Sequence, residues 1–563
     1  IVTARTGIKV LAGGINAIGV TTSTSFDGAL DATDLLSGTI PDARFPGTLP
    51  AVSGANLTGI EAAPTFQAVA SGTIANGKTI VLNSDATVSA AATTLTPESF
   101  GTQATLADSA GMTDACMGTV WISDTQFVTS YMRENDDLKM FLAVGTVNGT
   151  TITYGTAVQF PGPVVRVYTS DIVWDTSLNV GLVYVGDNFN GEQKIFTFTV
   201  SGSTLTFTNT NYNWQTGGAR NCVSIASNNN GGFCLVNLTT NGTEYILAGT
   251  VNAAGSVSVG SAQGGNGGFD YSVTVNQNRK TCGVVYNPDR DVFGQYVQGG
   301  AGNNGSLYVR LATITGTGVN PGTLTHVVNA HLDPGLALTY NTQYKCFVSI
   351  YRNYGNVNTR MRTWGVDANT VTTVDLNGSP YADMLVSSGA SNASTDYFGV
   401  DYNPGTKNAY IYIDRSAGMT LCEVEFASAS SITAGNSSLT TVFSGNGSRA
   451  SSISANNTLG KIYFNTADES SPYDVLSKIM QAKIITTNVT ANNFLGFSAA
   501  AYANNDTVTI KTVGNVDANQ TGLTTASKYY VTNGGNLSLT ADDPSVYAGL
   551  ALNSTSIAVK FPV

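Results

Sequence analysis

Acidic side chains are the first candidates for chemistry. Glu134, Asp136 and Asp137 stand together, as do Asp289 and Asp291, and Asp468 and Glu469. Two carboxylates about 5 to 9.5 Å apart, one with a raised pKa, are what glycoside hydrolysis needs. Arg and aromatic residues interleave with these acids: Arg290 and Phe293, then Arg352, Tyr354, Arg360, Arg362 and Trp364, then Arg415. Such residues anchor recognition surfaces, and aromatic rings stack on sugars. The acids read equally as solvated loop charge that keeps a charge-poor particle soluble, and Trp364 reads as core. The candidate receptor-contacting set is therefore Asp136, Asp137, Asp289, Arg290, Asp291, Arg352, Tyr354 and Arg415.

Other chemistries find little support. There is no GxSxG, HExxH or GxxxxGK[ST] segment, which argues against serine hydrolase, zincin and P-loop readings. The two histidines, His326 and His331, are five residues apart, so on a strand they face opposite sides. Asp187-Asn188-Phe189-Asn190-Gly191-Glu192 is rich in oxygen donors but lacks the full ligand series of a calcium loop. Cysteines 116, 222, 234, 282, 346 and 422 are scattered and lack CxxC pairs. Buried free thiols are the expectation, rather than a disulfide framework or a zinc site. No catalytic, cofactor-binding or metal-ligating residue is assigned, and no cofactor is expected.

The elements that position these residues follow from composition. The 563 residues carry 26 basic and 37 acidic side chains, a net charge of −11, and only 11% are charged. Amphipathic helices need many more charged residues to build their solvated faces. Yet 42% of the chain is hydrophobic, including 25 Tyr and 22 Phe, which supplies a core and argues against disorder. An all-β fold is expected. The acidic balance disfavours nucleic acid, since phosphate neutralisation needs clustered Lys and Arg. No run of 18 apolar residues offers a membrane span, and Ile8–Val20 lacks a signal-peptide layout.

A repeated unit occupies the middle of the chain. Copies open at Val120, Asp171, Cys222, Ser272, Leu336, Phe398 and Ser451, spaced 50–64 residues apart. Each has an alternating strand, a polar turn and a second strand rich in Val and Tyr. Two more strand-like runs follow around a tight turn, as at Asn148-Gly149. Four antiparallel strands per copy, seven times over, predict a seven-bladed β-propeller across residues 96–490. The last copy lacks a clear fourth strand after Tyr473–Met480. Glu98-Ser99-Phe100-Gly101-Thr102 looks like the fourth strand Thr153-Tyr154-Gly155-Thr156 of the first copy. A strand near Phe100–Leu106 is thus expected to complete the seventh sheet. Cys234, Cys282 and Cys346 are expected at matching places on second strands, where thiols of different sheets do not meet. The acidic pairs are expected in loops joining second and third strands, which share one face.

Residues 66–95 read as a hairpin connector turning at Asn76-Gly77. Residues 491–563 show short strands at about ten-residue spacing, the pattern of a small β-barrel or roll. In residues 1–65, apolar residues are isolated among Gly, Pro, Ser and Asp, so one copy of this segment cannot bury a core. Parallel copies could share Leu30, Leu35, Ile40, Phe45, Leu49, Val52, Leu57 and Ile60 along a common axis; the alternative is a flexible linker.

The segment LDATDLLSGTIPDARFPGTLPAVSGANLTGI, within residues 27–60, resembles the shaft motif of bacteriophage tail fibres and other fibrous virion proteins. The phrases SGTIPDARF and VSGANLTG carry the resemblance. It implies an extended homotrimeric stalk, and a place on the virion, tail or capsid surface. Residues 68–85 also resemble a leader that precedes repeat regions in phage structural proteins, and the C-terminal module resembles one that ends such proteins. The expected function is attachment to a host surface glycan or protein through a propeller head, without catalysis. Other virion proteins would bind the N-terminal segment. The alternatives are a virion-associated polysaccharide depolymerase and a decoration protein with no receptor.

Overall fold

Runs of Val, Ile, Tyr, Phe and Thr alternate with polar residues and are broken by Asn, Asp and Gly, a pattern that fits pleated, paired strands. The computed structural model describes residues 64–560 apart from 108–117, 134–138, 163–166, 188–191, 216–219, 240–242, 265–281, 300–305, 329–331, 354–358, 368–369, 375–381, 385–397, 416–417, 435–439, 445–450, 457, 459 and 468–473. Every regular element among them is a β-strand. The fold is all-β and propeller-like.

Seven antiparallel sheets follow one another along the chain; in the first six the four strands are successive, and in the seventh the first three are. Their first strands are Thr119–Trp121, Val167–Asp175, Arg220–Ser227, Cys282–Asn287, Leu332–Asn341, Phe398–Asn403 and Ser451–Ala455. We number the sheets 1 to 7 in that order. Each first strand packs beside the first strand of the next sheet, and that of sheet 7 packs beside that of sheet 1. In all but sheet 2 the fourth strand is split into two short segments that pair with the same third strand.

Sheet 7 is completed from the other end of the chain, as the sequence led us to expect. Ser99–Phe100 and Ala104–Ala107 pair with its third strand, Val475–Gln481, in the register Phe100↔Met480 and Ala104↔Ser477. A glycine marks the same break in the fourth strands of sheets 7, 1 and 3. Gly101, Gly155 and Gly260 each donate the backbone N–H to a third-strand carbonyl, of Ile479 (2.8 Å), Val144 (2.9 Å) and Ala248 (2.9 Å). An ideal Cβ on any of the three would overlap a backbone carbonyl oxygen of the following sheet: Thr150, Ser203 and Thr317 respectively. Only glycine permits that approach, and the seam from sheet 7 to sheet 1 has the same construction as the others.

Apolar residues fill the spaces between neighbouring sheets. Trp174, Phe196 and Phe198 of sheet 2 share a cluster with Tyr131, Phe141 and Phe160 of sheet 1. Tyr410 and Tyr412 of sheet 6 share another with Ile462 and Phe464 of sheet 7. The first strands also exchange polar bonds, which occupies an edge that would otherwise expose unpaired amides. Asp171 accepts from Ser224 Oγ (2.7 Å) and the Ile225 amide (3.2 Å). Ser224 Oγ accepts from the Val284 amide (3.2 Å), Thr339 Oγ1 from the Tyr402 amide (3.2 Å), and Asp401 from the Ala455 amide (2.8 Å). At the seam between sheets 7 and 1, Thr119 bonds Ser452 (2.9 Å) and Trp121 Nε1 donates to the Ser454 carbonyl (3.0 Å).

Two expectations need correction. The fourth copy was placed to open at Ser272, with Cys282 on its second strand. Cys282–Asn287 is the first strand of sheet 4, and Val292–Gly299 is the second. Cys282 therefore matches Cys222, not Cys234 and Cys346, and it does meet it: Cys222 Sγ accepts from the Cys282 amide at 3.3 Å. Residues 66–95 are also not a separate hairpin connector. Asn76-Gly77 is a turn, with Gly77 at φ 71°, but the strands flanking it do not pair with each other.

Thr65–Val69 pairs with Thr507–Lys511 and Thr79–Leu82 with Phe494–Ser498, in one five-stranded sheet with Val88–Ala90. The apolar residues explain this. Ala70, Ile74, Ile80 and Val88 are buried only together with Val508 and Ile510. A second five-stranded sheet, built from residues 516–559, shares a core with the first through Val81, Phe494, Phe497, Tyr529, Val531, Ile557 and Val559. The C-terminal module is thus made from both ends of the chain. A ribbon of Thr93–Thr96 and Ile484–Thr487 leads from it to sheet 7. The stalk residues Leu30, Leu35, Ile40, Phe45, Leu49, Val52, Leu57 and Ile60 lie outside the described residues.

Candidate functional site

The turns between first and second strands share a construction that positions one face of the molecule. In sheets 2, 4, 5 and 6 an Asp or Asn ends the first strand, and its side chain caps the turn. Asp175 Oδ1 accepts from the amides of Ser177 and Leu178, both at 3.1 Å. Asn341 Oδ1 accepts from those of Gln343 and Tyr344, both at 3.0 Å, and Asn403 Oδ1 from those of Gly405 (2.9 Å) and Thr406 (3.1 Å). Four residues on, the backbone turns left-handed, at Asn179, Asp291, Lys345, Lys407 and Gly460. In sheets 2, 6 and 7 the second polar atom reaches the next sheet's turn. Asp175 Oδ2 accepts from the Gly231 amide (2.7 Å), Asn403 Nδ2 donates to the Asn456 carbonyl (2.6 Å), and Asn456 Nδ2 to the Ser123 carbonyl (3.2 Å). These contacts place the turns side by side on one face.

Asp289, Arg290 and Asp291 lie on this face, in the turn between the first and second strands of sheet 4, and are exposed. The sequence reading put them in a loop between second and third strands; that followed from the misplaced fourth copy. In an antiparallel meander those loops leave from the opposite end of the sheet. Arg352 and Arg415 close second strands, in sheets 5 and 6, so they belong to that opposite end; their side chains are outside the description. Glu134, Asp136, Asp137, Tyr354, Asp468 and Glu469 lie outside the described residues. The described members of the candidate set are therefore split between two faces.

The acids of sheet 4 are held by neighbours. Asp289 accepts from Tyr340 OH at 2.8 Å and pairs with Lys345 Nζ at 3.3 Å, both on sheet 5. Asp291 accepts from Tyr286 OH at 2.9 Å. Burial, with help from that carboxylate, pushes the Tyr286 hydroxyl up to about 12. Arg290 is exposed between them. The arrangement offers carboxylates, a guanidinium and an ammonium at a surface, the groups that hydrogen-bond hydroxyl-rich or polar partners.

Several other candidates are structural. Trp364 is fully buried, stacked on Phe347 with centroids 4.1 Å apart, and donates to Ser349 Oγ at 2.8 Å. Phe293 is buried in the core between sheets 3 and 4. Arg360 is buried, and Arg362 donates to the Val327 carbonyl. His326 is exposed, 5.0 Å from the Tyr308 ring; His331 is outside the described residues. Cysteines 222, 234, 282, 346 and 422 are buried thiols. Burial pushes the Cys346 thiol up to about 12 and raises that of Cys234 as well, which makes poor nucleophiles. Among the described residues no group of three His, Cys, Asp or Glu could hold a metal ion.

Sequence reasoning missed two polar groups held between sheets. Glu244 of sheet 3 bonds Gln295 (2.5 Å) and Arg310 of sheet 4, and Arg310 Nε donates to Gln295 Oε1 at 2.6 Å. Asp401 is half-buried between sheets, and desolvation pushes its carboxyl up to about 6 although it accepts from the Ala455 amide, the Tyr402 amide and Thr339 Oγ1. Both join adjacent sheets. The sequence signal for Asp401 was the aromatic-Asx turn that follows it, Tyr402-Asn403-Pro404, matching Tyr286-Asn287-Pro288.

No known family model matches the chain, and no curated protein matches it. Among solved structures it is similar to the BP39L lectin of Burkholderia pseudomallei, at 12% identity and a TM-score of 0.42, over 67% of this chain and 96% of that one. It is also similar to the periplasmic gluconolactonase PpgL of Pseudomonas aeruginosa, at 9% identity and a TM-score of 0.40, over 59% and 86%. A third is the β-propeller domain of the trilobed protease of Pyrococcus furiosus, at 6% identity and a TM-score of 0.35, over 66% and 94%. At this level of similarity none of their activities transfers to this chain.

Proposed function

We propose that the protein is a structural component of a phage virion, a tail fibre or spike that attaches the particle to a host surface glycan or protein without catalysis. In this reading the seven sheets form a seven-bladed β-propeller head. Residues 1–65 form a homotrimeric stalk whose N-terminal part binds other virion proteins, so the protein resides on the tail or capsid surface. The observation that carries the reading is the shaft-like phrase within residues 27–60. Three heads on one stalk suit attachment, because weak sites reinforce one another. The partnered state of Asp289 and Asp291 also suits recognition: Tyr340, Lys345 and Tyr286 hold these acids in place.

The test is adsorption. Purified full-length protein should have the mass of three chains by light scattering, bind host cells saturably, block adsorption of the phage and release no reducing sugar from host polysaccharide. Release of sugar, abolished by Asp289→Ala or Asp136→Ala, would replace this reading with a depolymerase. A trimer that binds no host cell would leave a decoration protein.

A further inference from the structure

The surface that follows the proposed stalk is unusual. Pro64 is clamped to the C-terminal module: its carbonyl accepts from the Thr512 amide (3.2 Å), Thr512 Oγ1 (2.7 Å) and Asn515 Nδ2 (3.4 Å). Beside that clamp three large apolar side chains are nearly half exposed: Phe66 (42%), Val513 (49%) and Val516 (43%). Thr65–Val69 is also the edge strand of its sheet, with no strand on its outer side among the described residues. Neither Thr65-Phe66-Gln67-Ala68-Val69 nor Thr512-Val513-Gly514-Asn515-Val516 contains a charge or a proline. Edges left open to solvent are normally blunted by such residues, because bare ones invite pairing.

We infer that this patch is an interface between copies of the chain, in which the C-terminal modules of the trimer pack against one another where the stalk meets them. The inference rests on the trimeric reading above and extends it from the stalk to the module. Chain reach supplies the argument. Phe66 lies six residues after Ile60, the last apolar residue of the shaft phrase. At about 3.3 Å per residue it is within about 20 Å of the end of the bundle, even if the chain is fully extended. Three modules tethered that tightly to one axis turn the surface around Pro64 toward each other. The uncharged edge and the three apolar side chains are what such a contact buries, and their sequestration removes an aggregation hazard.

Thiol labelling of the full-length protein tests the inference. Phe66→Cys and Val516→Cys are compared with Leu539→Cys, whose native side chain is 55% exposed in the same module but away from the clamp. Labelled peptides are read by mass spectrometry, and the mass of each variant by light scattering. In a trimer, the thiols introduced at 66 and 516 should react about tenfold more slowly with maleimide than the one at 539, as expected for residues at the core of an interface. Equal rates in a protein of three-chain mass would overturn the interface and leave the trimer standing. A single-chain mass would overturn both. If either variant dissociates while the wild type and Leu539→Cys remain trimeric, the interface is supported by that loss.

Discussion

Replacing Gly101 by Ala tests whether sheet 7 is joined to sheet 1 as firmly as the other sheets are joined to their neighbours. The added methyl falls on the Thr150 carbonyl oxygen, well inside the 3.0 Å that real Cβ atoms keep. Relief requires opening the seam by about 1 Å, and overpacking of this kind costs about 1–3 kcal/mol. Gly155→Ala and Gly260→Ala place the same overlap on Ser203 and Thr317 and should cost the same. Gly365→Ala is the control: its nearest neighbour would be Thr372 Oγ1 at 3.9 Å, so the change should be neutral or slightly stabilising. Urea unfolding followed by tryptophan fluorescence measures the difference. With a slope of about 3 kcal/mol per molar, the three clashing variants should lose about 0.3–1 M in midpoint. If Gly155→Ala and Gly260→Ala lose stability while Gly101→Ala does not, the seam between sheets 7 and 1 yields freely and the reasoning fails.

Three further outcomes are expected. The Asp401 carboxyl is raised to about 6 from an ordinary 3.8, so the folded state holds its proton more tightly than the unfolded chain. Its ionisation therefore costs stability in full above about pH 6, and the cost vanishes as pH falls toward 4. Urea midpoints between pH 4 and 6 should show an acid-side gain in the wild type that is missing in Asp401→Asn. Trp364→Ala should cost about 3–5 kcal/mol of stability while host-cell adsorption per folded molecule stays unchanged, because the ring fills a core site; weaker adsorption at full stability would return it to the recognition surface. Hydrogen exchange should protect the Gly101 amide as strongly as those of Gly155 and Gly260, since all three donate to third-strand carbonyls; exchange at Gly101 orders of magnitude faster would show a frayed terminal strand.

Much of the fold was legible because sheets of this kind repeat their chemistry. The Gly101 and Gly155 phrases look alike in sequence because both must bring a bare backbone against the next sheet's turn. The fourth copy was misplaced because Ser272–Gln277 alternates like a strand and the thiol of Cys282 suggested a match with Cys234. The stronger signal was the turn, where Tyr286-Asn287-Pro288 parallels Tyr402-Asn403-Pro404. Both Asn residues end a first strand, and the left-handed positions Asp291 and Lys407 follow four residues later. That one error moved Asp289, Arg290 and Asp291 to the wrong face. The pairing of Thr65–Val69 with Thr507–Lys511 was hidden for a different reason: partners more than 400 residues apart leave no local pattern. Glu244 and Arg310 escaped notice because a buried charge reads in sequence like an exposed one, and only packing between sheets gives it a partner.

Electron microscopy of the purified full-length protein tests the central claim most directly. The account expects three ring-shaped heads, each of seven lobes around a centre, joined to one thin stalk through small modules that touch at its end. Single rings with no stalk, or rings with any other number of lobes, would contradict it.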